Sequence, residues 1–178
     1  MKKLLFITLA GLLADNLQAQ RFTSEQGKIT FFSDATIEDI EAENGMVGSL
    51  FNAASGELVY IVKIKDFKFD KSLMREHFNE KYMETEKFPK STFQGRITGF
   101  KTGVTGEQKV KATGKMTIHG VIRDVDIPGT IEFVNGKALM KSKFIVKLQD
   151  YNIKIPKLVW QNIAEQIEVT VEFIYKPL

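Results

Sequence analysis

Alternation of apolar and polar residues at every second position is the strongest pattern in this chain. It is clearest in residues 109–118, 138–148 and 167–175, where one set of alternate positions is mostly apolar and the other is rich in lysine, threonine or glutamate. Because successive side chains of a β-strand point to opposite faces, this period is typical of strands with one buried and one solvated face. A chain dominated by this pattern is expected to be all-β.

About eight such segments follow one another, joined mostly by short turns. They are residues 27–33, 46–51, 58–69, 91–100, 109–119, 121–134, 137–148 and 167–175. The phase of the third segment shifts near Lys65 and Asp66, which predicts a bulge, and Asn135-Gly136 predicts a tight hairpin. Eight antiparallel strands favour a closed barrel, because closure removes exposed strand edges. A sandwich of two sheets is the alternative architecture.

One segment, residues 71–87, departs from the strand pattern and predicts an amphipathic helix inserted between strands. Ser72 can cap a helix that begins at Leu73, and Pro89 precedes the next strand. One helical stripe carries Met74, His77, Phe78, Lys81 and Tyr82. The helix is therefore expected to lie across the barrel with its aromatic side chains pointing inward.

The sequence offers little for catalysis or metal binding. Only Glu80 could share a site with His77, and two ligands do not complete a metal site. His119 is in phase with Lys115 and is expected to face outward, unless the turn at Gly120 changes the phase. No local motif positions a serine beside a histidine and a carboxylate, and cysteine is absent. We therefore predict no metal, cofactor or catalytic residues, and no enzyme.

The first 20 residues predict a secretory signal peptide. Two lysines precede the apolar run Leu4–Ala14, which is too short to span a membrane, and the small residue Ala19 stands at a plausible cleavage point. Cleavage is expected after Ala19 or Gln20, and a buried N-terminal helix is the alternative. The expected division is a signal peptide in residues 1–19 and a single domain in residues 20–178. The expected location is periplasmic or extracellular.

Three stretches resemble the YceI-like family of secreted bacterial lipid-binding proteins. They are "EHFNEKYMETEKFPKSTFQG" (76–95), "GKMTIHGVIRDV" (114–125) and "FIVKLQDYNI" (144–153). Their order and spacing are similar to the family pattern over roughly residues 27–176. Two stretches depart from that pattern: "EHFNEKYMET" replaces a shorter segment, and "GKITFF" lacks an early histidine. The departures concern the ligand more than the fold, because the changed segment is expected to line or cover the cavity.

The resemblance implies a lipocalin-like antiparallel barrel whose lumen holds a long isoprenoid chain or a related amphiphile, in an exported carrier or storage protein. The residues expected to contact that ligand are Tyr60, Val62, Phe78, Tyr82, Phe93, Met116, Ile118, Phe144, Val146 and Trp160. A barrel enzyme with a lipid-like substrate and an envelope interaction module with a filled core are the alternatives.

The expected partners are one isoprenoid or fatty-chain lipid and, transiently, an anionic membrane surface. A homodimer is a further possibility that the sequence does not decide. The membrane contact rests on two rows of lysines, which could equally form a solvated exterior. The rows are Lys109, Lys111 and Lys115, and Lys141, Lys143 and Lys147. Nucleic acid is not expected, because a net charge of +3 is modest.

Overall fold

The computed structural model describes residues 21–34, 39–155 and 164–178. The predicted signal peptide and Trp160 lie outside the described residues. The strands are β1 (Arg21–Ser33), β2 (Ile40–Asn44), β3 (Gly48–Asn52), β4 (Glu57–Lys63), β5 (Lys68–Phe69), β6 (Lys90–Thr98), β7 (Gln108–Ile118), β8 (Val121–Val134), β9 (Lys137–Lys147) and β10 (Gln166–Pro177). Within the described ranges, no helix is long and apolar enough to span a membrane.

The ten strands form one antiparallel sheet that closes on itself through pairing of β1 with β10. The closed ring has eight strand positions, because β2 and β3 are two parts of one interrupted strand and β4 and β5 are two parts of the next. β2 and β3 both pair with β1, and they pair on their other side with β5 and β4 respectively. The predicted eight-stranded antiparallel barrel is confirmed.

The predicted bulge near Lys65 is a short 3-10 turn, Ile64–Asp66, after which β5 resumes pairing with β2. β2 is not among the strands predicted from the sequence. Its inward positions include Asn44, a polar residue that does not fit an alternating apolar pattern. The Asn44 side chain is buried and joins two strand ends: its Nδ2 donates to the Lys63 carbonyl at 2.9 Å, and its Oδ1 accepts from the Met46 N–H at 2.8 Å.

The inserted helix, α1, runs from Ser72 to His77 and continues as a π-helical turn, Phe78–Tyr82. The prediction that Ser72 caps the helix is wrong: Lys71 occupies the N-cap position without a side-chain capping hydrogen bond, and Ser72 is already helical. The π turn is closed by the hydrogen bond from the Met83 N–H to the Phe78 carbonyl at 2.9 Å.

Aromatic rings fill one half of the barrel interior. We call this group the aromatic plug; its members are Phe22, Phe51, Phe100, Phe133, Phe173 and Tyr175. Their centroids lie 5.3–6.3 Å apart in contacting pairs, such as 5.3 Å for Phe173 and Tyr175 and 6.3 Å for Phe22 and Phe133. The Tyr175 hydroxyl is anchored by Ser49 Oγ at 2.6 Å. A large open space lies in the other half of the barrel, beneath α1.

Candidate functional site

An apolar cavity of about 420 Å³ occupies the half of the barrel beneath α1. It is nearly three times as large as an engineered apolar cavity of about 150 Å³ that stays dry and admits benzene. Most of its lining is aliphatic or aromatic: Ile29, Phe31, Ile40, Val62, Ile64, Phe67, Phe69, Leu73, Met74, Phe78, Met83, Met116, Ile118, Phe144, Val146, Leu148, Ile153, Ile167, Val169 and Val171. A space of this size and character fits a chain-like apolar ligand.

The cavity has its walls in the strands and its cover in α1 and the π turn. The wall residues recur at alternate positions, as in Phe144 and Val146 of β9, because every second side chain of a barrel strand points inward. Leu73 and His77 line the cavity and are also exposed to solvent. The cavity therefore reaches the surface beside α1.

Phe78 is the centre of the cover. Its ring stacks on Phe31, with centroids 5.3 Å apart, and contacts Phe69 at 5.0 Å and Phe67 at 5.7 Å. Offset and edge-on ring pairs of this kind contribute about 0.5–1.5 kcal/mol each beyond the buried area. The helix is thus attached to the barrel wall by an aromatic cluster that also faces the cavity.

The cavity lining contains few polar side chains, and among the described residues none is a carboxylate, lysine or arginine. The polar members are Ser33, Tyr60, His77, Tyr82, Ser91 and Thr92. Ser33 Oγ already accepts a hydrogen bond from the Ala164 N–H at 2.9 Å. Burial raises the pKa of the Tyr60 and Tyr82 phenols, so both rings present neutral hydroxyls.

Most of the residues predicted to contact a ligand meet around this cavity. Tyr60, Val62, Phe78, Tyr82, Met116, Ile118, Phe144 and Val146 all line it. Phe93 does not: it is buried behind Tyr60, with ring centroids 5.1 Å apart and planes 17° apart. The reason is Gly95, because a Cβ there would stand 2.6 Å from Phe93 Cζ, so the missing side chain leaves room for the ring to lie over this position. Trp160 lies outside the described residues.

The prediction missed several lining residues, above all Phe31, Phe67 and Phe69, which surround Phe78. All three occur in alternating stretches of β1 and of the segment around β5. Their in-phase positions were therefore available as a signal, but the sequence could not show that they meet α1. Lys81, predicted on the inward stripe, is exposed, whereas the neighbouring Met83 is buried in the lining. The π turn changes the helical period at this point.

His119 is buried, so the outward position expected from alternation is wrong, and the exception allowed for a turn at Gly120 applies. Its backbone is left-handed, with φ of 50°, at the turn between β7 and β8, and this breaks the alternation. Nε2 lies 2.9 Å from Glu84 Oε2, and Nδ1 lies 3.2 Å from the Tyr151 carbonyl oxygen. Both partners accept hydrogen bonds, so both ring nitrogens can donate together only in the protonated imidazolium. We call this group the His119 latch, because it ties the segment after α1 to two other loops.

The chemistry of the latch is structural. Phe88 packs edge-on against the imidazole with centroids 4.5 Å apart, and neither His119 nor Glu84 lines the cavity. No group of three or more metal-ligating side chains was found within the described parts of the chain.

The exterior lysine rows are largely paired with carboxylates. Lys115 Nζ lies 2.9 Å from Asp124 Oδ1, and Lys143 Nζ lies 2.8 Å from Glu168 Oε1. Lys111 and Lys141 have partners at 3.8 and 3.6 Å, in Asp126 and Glu172. These pairs cross neighbouring strands on the outer face, so four of the six lysines form a solvated surface of alternating charge.

The fold and the sequence agree with one family. A model of the YceI-like domain matches residues 14–175. No functionally curated protein matches the sequence significantly.

Three solved structures share the fold. A polyisoprenoid binding domain from Saccharophagus degradans implicated in plant cell wall breakdown has a TM-score of 0.76 at 13% identity, covering 88% of this chain and 98% of that chain. BcnA of Burkholderia cenocepacia has a TM-score of 0.71 at 17% identity, with 83% and 95% covered. The YceI protein of Campylobacter jejuni has a TM-score of 0.55 at 19% identity, with 98% and 97% covered. The match of the family model over most of the chain, together with the closed eight-stranded barrel, shows that this protein belongs to the YceI-like family.

Proposed function

We propose that this protein binds a long isoprenoid or related amphiphilic lipid in the barrel cavity and carries it as an exported protein. The observation that carries the proposal is the 420 Å³ cavity, in which 20 apolar side chains dominate the lining. The name of the Saccharophagus degradans structure, a polyisoprenoid binding domain, supports the choice of ligand class. The lysine pairs on the outer face give little support to a membrane-binding surface, so membrane contact enters only as the source of the lipid.

The energetics favour reversible loading. Burying about 15 apolar carbons is worth roughly 12 kcal/mol relative to water, at about 0.8 kcal/mol per CH₂. Association and ordering cost several kcal/mol of this. A lipid that leaves a bilayer gives up a comparable burial there, so transfer from bilayer to barrel is close to balanced. A near-balanced transfer suits a carrier that both loads and unloads.

Binding without catalysis is supported by the polar groups of the cavity. The Tyr60 and Tyr82 phenols are neutral, Ser33 is engaged with the backbone, and no carboxylate stands beside His77 in the lining. General acid–base chemistry needs a titratable pair aimed at the reacting atoms. We therefore propose a binding protein.

Export is proposed from the basic and apolar order of residues 1–19. Arg21 already belongs to β1, so removal of that segment would leave every described strand intact. N-terminal sequencing of protein recovered from the cell envelope or medium should begin at Gln20 or Arg21. A mature chain that retains Met1 would contradict export by cleavage.

Native mass spectrometry of protein purified gently from its own host tests the ligand directly. We expect a mass excess that extracts into organic solvent and carries isoprenoid fragments. An empty cavity in protein that also fails to take up added prenols would refute the proposal and favour an interaction module.

A further inference from the structure

The barrel interior is divided into two spaces at the level of Tyr60. Tyr60 lines the 420 Å³ cavity on one side and a separate void of about 50 Å³ on the other. Val171 is the other residue that borders both spaces. The aromatic plug begins at this small void, because Phe173 lines it. The Tyr60 ring is therefore the boundary at which an apolar chain entering from α1 must stop.

The position of this ring is fixed from behind. Tyr60 stacks on Phe93 at 5.1 Å and contacts Phe173 at 6.0 Å. Two glycines make room for these supporting rings, because a Cβ at Gly95 would stand 2.6 Å from Phe93 Cζ and a Cβ at Gly27 would stand 2.5 Å from Phe173 Cε1. The boundary is thus built from several strands and does not depend on one mobile side chain.

The volume above Tyr60 sets a chain length. An apolar cavity of about 150 Å³ admits one benzene ring, so about 420 Å³ corresponds to roughly 17 carbons, or about three isoprene units. We propose that Tyr60 is the residue that limits the bound chain to about this length. The inference rests on the proposed function and adds to it the length of the ligand and its determinant.

Discrimination by length follows when the lipid comes from a bilayer. Each carbon that leaves the bilayer but finds no place above Tyr60 is exposed to water, at about 0.8 kcal/mol per CH₂. One surplus isoprene unit is therefore expected to reduce transfer by at least tenfold. The same unit would cost nothing in a barrel whose whole length were open.

The test is competitive extraction from phosphatidylcholine vesicles that contain equal amounts of prenols with two, three, four and six isoprene units. Delipidated protein is separated from the vesicles, and its bound prenols are quantified by mass spectrometry. For the wild type we expect at least a tenfold excess of the three-unit prenol over the four-unit prenol, normalised to the vesicle content. Tyr60→Leu joins the two spaces, which makes room for part of the surplus unit, and should lower this ratio several-fold.

Three further variants separate length control from folding. Tyr60→Phe keeps the ring and should keep the wild-type ratio. Phe51→Leu removes a buried ring that borders neither space and should also keep it. Val62→Phe adds a ring at the next inward position of β4, above Tyr60, and should shift the preference to the two-unit prenol. This variant tests the length limit independently, so the test does not depend on the folding of Tyr60→Leu.

The possible outcomes test the length limit set by Tyr60 separately from lipid binding itself. Wild-type protein that extracts no prenol of any length would overturn the proposed function and this inference together. Prenol binding without length preference, or an unchanged ratio in folded Tyr60→Leu and Val62→Phe proteins, would overturn the role of Tyr60 alone.

Discussion

Removing the ring of Phe78 should open the cavity and weaken the barrel at the same time. Phe78→Ala deletes contacts with Phe31, Phe67 and Phe69, each worth about 0.5–1.5 kcal/mol beyond area burial. A fully buried Phe→Ala substitution costs about 3–5 kcal/mol. Because Phe78 is only partly buried, we expect a loss of about 2–3 kcal/mol in the free energy of unfolding.

The effect on lipid retention can be estimated separately. If the ring gives about 50 Å² of contact to the bound chain, its loss costs about 1.3 kcal/mol at about 25 cal/mol per Å². This corresponds to roughly tenfold weaker binding. The assay is bound lipid per protein after purification, with urea unfolding of the lipid-free protein measured alongside.

Glu80→Gln is the matched control, because Glu80 lies in the same π turn but is exposed and does not line the cavity. An exposed carboxylate contributes little to stability, so both readouts should stay within error of the wild type. Tyr82→Ala, on the cavity side of the same turn, should behave like Phe78→Ala. If Glu80→Gln loses the bound lipid while Phe78→Ala and Tyr82→Ala retain it, the polar face of the helix is the face that binds the ligand, and α1 is not an apolar cover.

Three other perturbations test separate parts of the barrel. His119→Ala removes the latch and should lower the free energy of unfolding by about 2–3 kcal/mol. His77→Ala, at an exposed position, is the control and should change it by less than about 0.5 kcal/mol. Equal effects of the two substitutions in urea titrations would argue against the latch. Gly114→Ala places a Cβ 2.4 Å from a backbone oxygen and should lower the free energy of unfolding by about 1–3 kcal/mol. A Cβ at Gly48 meets nothing within 4 Å, so Gly48→Ala should leave stability unchanged. If Gly114→Ala unfolds at the wild-type temperature, the close strand packing at this position is contradicted. Burial raises the pKa of Tyr175, so above the usual phenol pKa near 10 this side chain ionises in the unfolded chain before it ionises in the folded barrel. The free energy of unfolding is therefore unaffected by the ionisation of Tyr175 below that pH and falls above it, by about 1.4 kcal/mol per pH unit. Unfolding measured from pH 9 to 11 should show a smaller decline in Tyr175→Phe than in the wild type, and an identical decline would exclude this tyrosine as the cause.

The barrel could be predicted from the sequence because its strands are long and amphipathic. Each strand from β6 to β10 buries one set of alternate positions, so the period is visible without any tertiary contact. By contrast, β2 is short and places the buried Asn44 inward, where only the ends of neighbouring strands satisfy it. Local patterns cannot show a hydrogen bond to a carbonyl 19 residues away.

The site was predictable in composition but not in shape. Alternation put Tyr60 and Phe93 on the same inward face, and both are buried there. Which of the two faces the cavity depends on the space above Gly95, which arises where distant strands pack together. His119 shows the same limit, since a single left-handed residue reverses the face predicted by alternation.

The pairing of β1 with β10 has a consequence for folding kinetics. Phe22 pairs with Pro177, so the longest-range contacts in the barrel are those that close it. Such non-local pairing is slow, because loop closure must precede any gain from contact. Until β10 is synthesised and docked, β1 and β9 each present an open edge that can pair with another chain. The cavity is lined by residues of both β1 and β10, so it is incomplete, and cannot hold a ligand chain, until these two strands have paired.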